Sequence, residues 1–215
     1  MISDIFQQAG LSPAALLLEV GCASGFLAIG LSPKVSRYVG VDLSRDALRA
    51  ATRLRLANAD FKHADGENLP FGDSVFDSAF SYDVFTNFPD FALGAGIIRE
   101  MLRVVRPGGR VFIGSIPDAA KREEYEKRIV AVAAELDARY GPPPPGPEPK
   151  PASPLDRIRN FLRPVNPAIV CYYFNRNDFL QLGEKLGVSV ELTDIHPLNP
   201  YLGYRFNAIY TKNAK

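Results

Sequence analysis

The sequence predicts an α/β protein built on an open, mostly parallel sheet, and three stretches carry that prediction. An apolar run, Leu16-Leu-Leu-Glu-Val20, leads directly into Gly21-Cys-Ala-Ser-Gly25. A second apolar run, Tyr38-Val-Gly-Val-Asp42, ends in an acid and passes into helical sequence. The turn Arg106-Pro-Gly-Gly109 then delivers a helix into a third apolar segment. Short apolar strands alternating with helical patterns across glycine turns are what an α/β sheet requires.

Residues 16–20 read as a buried strand and residues 24–31 as the start of a helix. Glycine at 21 and 25 lets the backbone turn tightly and lets a ligand approach where a Cβ would clash. Loops at the carboxyl end of a first strand are where open α/β sheets bind nucleotides. Residues 38–42 form the second strand and residues 45–57 the next helix. An acid at the tip of that strand, Asp42, suits both hydroxyls of a ribose. A third strand at 61–63 runs into Asp65-Gly-Glu-Asn-Leu-Pro-Phe71, a fourth covers 76–80, and a fifth covers 110–115.

Beyond the fifth strand the pattern changes. Residues 121–140 read as an amphipathic helix with Tyr125, Ile129, Val132, Leu136 and Tyr140 on one stripe. Residues 141–154 are too proline-rich for helix or central strand, because proline lacks the amide donor and fixes φ. A stiff polyproline connector is the favoured reading, and a docking segment for a partner domain is the alternative. Residues 155–163 resume a helical pattern with Leu155, Ile158, Phe161 and Leu162 inward. A helix at 177–186 closes on Gly187, and strands at 188–193 and 204–211 end the pattern.

Composition sets bounds. A chain of 215 residues, 47% hydrophobic, buries one full core, so residues 1–215 are expected to form a single domain. With 25 basic and 24 acidic residues the net charge is +1, which argues against nucleic acid and membrane surfaces as partners. The two cysteines, Cys22 and Cys171, suit neither a disulfide framework nor a metal site, so a reducing cytoplasm is the expected location. No signal peptide or membrane span is read from the sequence.

The order of these segments resembles the class I S-adenosylmethionine-dependent methyltransferases, particularly the type 11-like subgroup acting on small molecules. Glu19-Val-Gly-Cys-Ala-Ser-Gly25 matches the family's first glycine loop, with Ala23 where many members carry glycine. Val41-Asp-Leu-Ser44 matches the second motif, and Ala64 to Phe71, closing on Ser74-Val-Phe-Asp77, matches the adenine-side motif. Leu102 to Gly109 matches the turn before strand five. Four motifs in the right order are specific where one alone is weak. The resemblance implies a Rossmann-like seven-stranded sheet, mostly parallel, with helices on both faces and the last strand antiparallel. The chain departs from the family at its amino terminus, where strand one already begins at Leu16 while relatives carry extra covering helices, and the long helical insertion between strands five and six, residues 117–174, is expected to cover the site and receive the acceptor instead.

The resemblance implies S-adenosyl-L-methionine as cofactor, S-adenosyl-L-homocysteine as product and a small-molecule methyl acceptor as partner. Glu19, Gly21, Cys22 and Gly25 would then face the amino-acid end, Asp42 the ribose, Leu43, Asp65 and Gly66 the adenine, and Ser81 the same cofactor from strand four. The structural alternatives are a helix-dipole partner for Glu19, a helix N-cap for Asp42 and a turn former for Asp65. The family's histidine pair after strand four is replaced by Thr86-Asn87, which leaves Asp83 and His196 as candidates for a catalytic base. Arg157, Arg159 and Arg163, followed by Cys171-Tyr-Tyr-Phe174, suggest a polar acceptor such as a glycan or its phosphorylated precursor. The segment Leu202-Gly-Tyr-Arg-Phe-Asn207 points the same way through a faint likeness to methyltransferases of surface polysaccharides. Two other classes compete: a non-catalytic cofactor-binding module partnering another subunit, and a nicotinamide-dependent oxidoreductase. The second is disfavoured because Gly21-Cys-Ala lacks the middle glycine of Gly-x-Gly-x-x-Gly.

Overall fold

Leu17, Leu18 and Val20 are buried on alternate faces of a strand that lies near the middle of a seven-stranded sheet. The computed structural model describes residues 1–141 and 171–214. Its elements are α1 (Ile2–Gln8), β1 (Leu16–Val20), α2 (Phe26–Leu31), β2 (Arg37–Asp42), α3 (Arg45–Thr52), β3 (Ala59–His63) and β4 (Phe76–Tyr82). There follow α4 (Phe91–Val104), β5 (Val105–Pro117), α5 (Arg122–Tyr140), α6 (Arg176–Leu186), β6 (Ser189–Asp194) and β7 (Arg205–Thr211). The strand order is β3-β2-β1-β4-β5-β7-β6. Pairs from β3 to β5 are parallel, and β7 runs antiparallel to both β5 and β6, as the sequence reading expects of the last strand.

Alternation along the strands builds two cores. Leu18, Val20 and Val41 pack with Ile98 and Met101 of α4 and Phe179 of α6 on one face. Leu17, Tyr38 and Phe112 pack with Ile5 of α1 and Leu27 and Leu31 of α2 on the other. The helix α1 lay outside the sequence reading; its one buried side chain, Ile5, is too little periodicity to announce it. Among the described residues no helix is long and apolar enough to cross a membrane.

Several boundaries move, three of them with a readable cause. The helix expected over 45–57 ends at Thr52, because Arg55 takes a left-handed φ of 52° that turns the chain toward β3. The first helix begins at Phe26, with Gly25 as its cap at φ 79°. β5 reaches back to Val105, which pairs with Phe76 before a register shift absorbs the Arg106–Gly109 turn. Within that turn Gly108 sits at φ 79°, and its N–H donates to the Lys212 carbonyl at 2.8 Å.

Contacts divide the chain into Met1–Arg122 with Cys171–Lys215, and Glu123–Val170. In α5, Ile129, Val132, Leu136 and Tyr140 of the expected apolar stripe are exposed, and no residue of the helix is buried. The proline-rich 142–154 and the helical pattern at 155–163, with Arg157, Arg159 and Arg163, lie outside the described residues. Phe174 is wholly buried among Phe85, Phe91 and Phe179, so it is a core residue rather than part of an acceptor surface.

Candidate functional site

The carboxyl ends of β2, β1 and β4 stand side by side and open into a cavity of about 430 Å³. Glu19, Gly21, Cys22 and Ala23 form its floor, Asp42 one wall, and Tyr82, Asp83, Val84 and Asn87 the opposite wall, with Met1, Phe26 and Leu27 completing it. This is the crevice at the strand ends where α/β sheets take ligands.

Each floor residue has a local cause. Gly21 has φ 84°, and a Cβ there would meet Val84 Cγ2 at 2.5 Å, so the turn admits only glycine. Ala23 adopts φ 44°, a left-handed conformation that explains why glycine suits this position in the resembling family. Gly25 is different: a Cβ would strike Leu54 Cδ1 at 2.9 Å and Ala51 at 3.2 Å. Gly25 therefore serves the packing of α2 against α3, not ligand approach.

Glu19 is 2% exposed and its Oε2 has no hydrogen-bond partner. Burial, reinforced by Asp42, holds its carboxyl well above the usual carboxylate range. The same burial, with Glu19 and Asp42 nearby, pushes the Cys22 thiol up, so it is no thiolate. Asp42 accepts from Ala23 N at 2.8 Å through Oδ2 and from Ser44 N at 2.7 Å through Oδ1. The cap of α3 is Ser44, which accepts from Ala47 N at 3.2 Å, so Asp42 is not that helix's N-cap. Two backbone bonds leave about two of the roughly four lone-pair sites of the Asp42 carboxylate for a ligand.

Other sequence-predicted residues lie apart from this lining. Leu43 is exposed and is not among the residues of the cavity. Asp65 Oδ1 accepts from Glu67 N at 3.0 Å, a turn-forming bond, while Gly66 is buried against Val20 and Ile97. Ser81 is buried with Oγ unpaired. His196 accepts from Leu198 N at 3.2 Å through Nδ1, shaping its own loop, and is not among the residues of the cavity. His63 lines a separate groove of about 390 Å³ with Phe61, Arg45, Arg49 and Arg53.

Asp83 does line the cavity, and sequence reasoning missed what surrounds it. Its Oδ1 pairs with Arg205 Nη1 from β7 and lies 3.4 Å from Ser115 Oγ of β5. Arg205 Nη1 also donates to Ser115 Oγ at 2.9 Å, and its guanidinium stacks 3.7 Å over the Tyr201 ring. Tyr82 OH accepts from Asn199 Nδ2 at 3.1 Å. Burial raises the Tyr82 phenol and the Cys171 thiol, which lies near Arg205 and Asp83.

Comparison with known proteins agrees with this geometry. Residues 18–113 match the family model described as a methyltransferase domain. A methyltransferase of Streptomyces halstedii, GfsG, is 33% identical over 122 residues, 54% of this chain and 43% of that protein. The 27-O-demethylrifamycin SV methyltransferase of Amycolatopsis mediterranei is 32% identical over 134 residues, 55% of this chain and 48% of that protein. The chain thus matches less than half the length of these curated relatives. Among solved structures, a SAM-dependent methyltransferase of Methanosarcina mazei superposes with TM-score 0.68 at 20% identity, covering 98% of each chain. That likeness extends the fold beyond the matched segment. Motif order, sheet topology and strand-end cavity thus coincide with the segment, residues 18–113, that is similar to a methyltransferase domain.

Proposed function

We propose that the protein transfers a methyl group from S-adenosylmethionine to a small molecule through the cavity at the ends of β1, β2 and β4. The observation that carries this reading is the pair of acids at its floor and wall: a buried Glu19 with an unpaired oxygen, and Asp42 with capacity to spare at the tip of β2. A cofactor with an ammonium at one end and a ribose in the middle fits that donor set. Glu19 would face the ammonium and Asp42 the ribose hydroxyls, with Leu43, Asp65 and Gly66 toward the adenine and Ser81 reached from β4. Bound cofactor supplies an activated methyl group on a sulfonium. The chain's own work is alignment and exclusion of water, since an in-line displacement gains most from placing the acceptor behind the methyl.

The acceptor is read as a polar small molecule. A glycan or phosphorylated precursor remains part of that reading through Arg205 and Asn207 of the 202–207 run, two of whose side chains reach the Asp83 cluster. The relatives named above are a rifamycin methyltransferase and GfsG, so small molecules of other chemistry belong in the same screen.

Titration calorimetry with S-adenosylmethionine and S-adenosylhomocysteine tests the cofactor. Asp42→Ala is expected to weaken both by about 2–4 kcal/mol, the loss of charge-assisted hydrogen bonds. Unchanged affinity would remove Asp42 from the site. Stabilisation by a nicotinamide dinucleotide, with none by S-adenosylhomocysteine, would reverse the assignment altogether. Tight cofactor binding without turnover on any acceptor would point to a non-catalytic module.

A further inference from the structure

Asp83 directly follows β4 and Ser115 lies near the end of the neighbouring β5, and both hold left-handed backbone conformations that residues other than glycine rarely adopt, φ 61° and 63°. Such conformations persist where the surroundings over-determine them, and they gather at functional sites. Here the surroundings are identifiable. Asp83 N donates to the Gly114 carbonyl at 3.0 Å. Ser115 lies in the bulge where the β5–β7 register shifts, and its N–H donates to Asn207 Oδ1 at 3.0 Å. Asn207 is fully buried and gives its own Nδ2 to Thr193 Oγ1 and the Asp194 carbonyl. Arg205, with its side chain 10% exposed, bridges the two strained residues.

Two of these groups, Ser115 Oγ and Arg205 Nη1, converge on one oxygen, Asp83 Oδ1. Oδ2 accepts no hydrogen bond from the described residues, and the residue lines the cavity on the wall opposite Asp42. With a ribose at Asp42, the reacting end of the cofactor points toward the β4 wall. Resting on that cofactor reading, we infer that Asp83 Oδ2 receives the acceptor, taking a hydrogen bond from the hydroxyl or amine to be methylated, while Arg205 and Ser115 position it. A carboxylate held through one oxygen by a guanidinium presents the other as a strong, well-oriented hydrogen-bond acceptor. Asp83 therefore orients the acceptor by accepting its hydrogen bond. The acceptor's lone pair forms the new bond to the methyl carbon as the carbon–sulfur pair returns to sulfur, and the acceptor's proton then leaves to water. Acceptor atoms of this site are oxygen or nitrogen, not carbon.

The test needs no knowledge of the natural acceptor. Sinefungin carries an amine where the cofactor carries its sulfonium methyl, so it presents a donor at the place the acceptor meets. Calorimetry is run with sinefungin and S-adenosylhomocysteine on the full chain. The expected wild-type preference for sinefungin is tenfold or more. Asp83→Asn and Arg205→Met should each erase most of it while leaving S-adenosylhomocysteine within about twofold; Arg205→Lys should recover part. Asp42→Ala should weaken both probes alike. A preference unchanged in Asp83→Asn, or absent from the wild type, overturns the inference. Failure of S-adenosylhomocysteine to bind the wild type instead overturns the cofactor reading beneath it. If Asp83→Asn does not fold, Ser115→Ala, which removes only the hydroxyl on Oδ1, is measured by the same ratio and decides.

Discussion

At the scale of single residues, the site is built from side chains that stability alone would not retain. Glu19 is the clearest, a buried carboxyl with an unpaired oxygen whose proton affinity is raised by burial. A group whose folded pKa lies above its unfolded value stabilises fully below the unfolded value, and that contribution is lost as pH rises through the folded one. Glu19→Gln removes that titration and is therefore expected to raise stability at pH 7 by about 1–3 kcal/mol, the penalty of burying an ionisable carboxyl. The gain should shrink below the ordinary glutamate range, and cofactor affinity should fall; urea melts across pH read the first, calorimetry the second. Asn207 behaves in the opposite way, because it satisfies the Ser115 N–H in the bulge. Asn207→Leu leaves that buried donor orphaned and should cost about 1–3 kcal/mol in urea denaturation. The two acids differ in how they show in sequence from the residues around Asp83. Glu19 and Asp42 stand in the last two residues of short apolar strands just before turns, a local pattern. Asp83, Ser115 and Arg205 are brought together across 122 and 90 positions, and a left-handed φ at aspartate or serine has no signature in the chain.

At the scale of elements, one tie sets the shape of the loop beyond β3. Arg103 of α4 donates to the carbonyls of Leu69 and Phe71, pairs with Asp73, and forks onto Glu100. Glu100 in turn accepts from Leu69 N at 3.0 Å. The Arg103 guanidinium holds the Glu100 carboxyl below the usual range. A folded pKa below the unfolded one contributes stability above the unfolded value that is lost as pH falls through the folded one. Arg103→Met should therefore flatten the acid limb of the stability profile below about pH 4.5, the ordinary glutamate value. It should also speed amide exchange at Leu69, which hydrogen exchange by mass spectrometry or NMR resolves. The motif around Asp65 was readable as a turn, and Asp65 does form one, but its anchorage to α4 depends on a partner more than thirty residues later. The α5 helix was legible but the surroundings of its stripe were not, for a related reason: periodicity announces a helix, not what lies against it.

At the scale of the whole molecule, the sheet carries helices on both faces and opens its strand ends to one cavity, so ligand and fold are thermodynamically linked. S-Adenosylhomocysteine at a hundred times its dissociation constant is expected to add about 2.7 kcal/mol to unfolding free energy. A thermal-shift titration checks this, and a flat melting temperature would separate cavity from cofactor. The seven-stranded order was legible because alternating strands and helices admit few topologies. The place of β7, slotted between β5 and β6, has a temporal meaning as well. Lys212 closes the end of α4 by donating to the Leu102 and Val105 carbonyls at 2.9 and 2.8 Å, and Arg205 completes the wall at Asp83. During synthesis the ribosome releases β1 to β5, with both acids in place, long before residues 205–212 exist to finish the opposite wall. A nascent chain can thus shape the floor of its cavity early, but the wall that holds Asp83 is completed only when β7 docks and brings Arg205 to it.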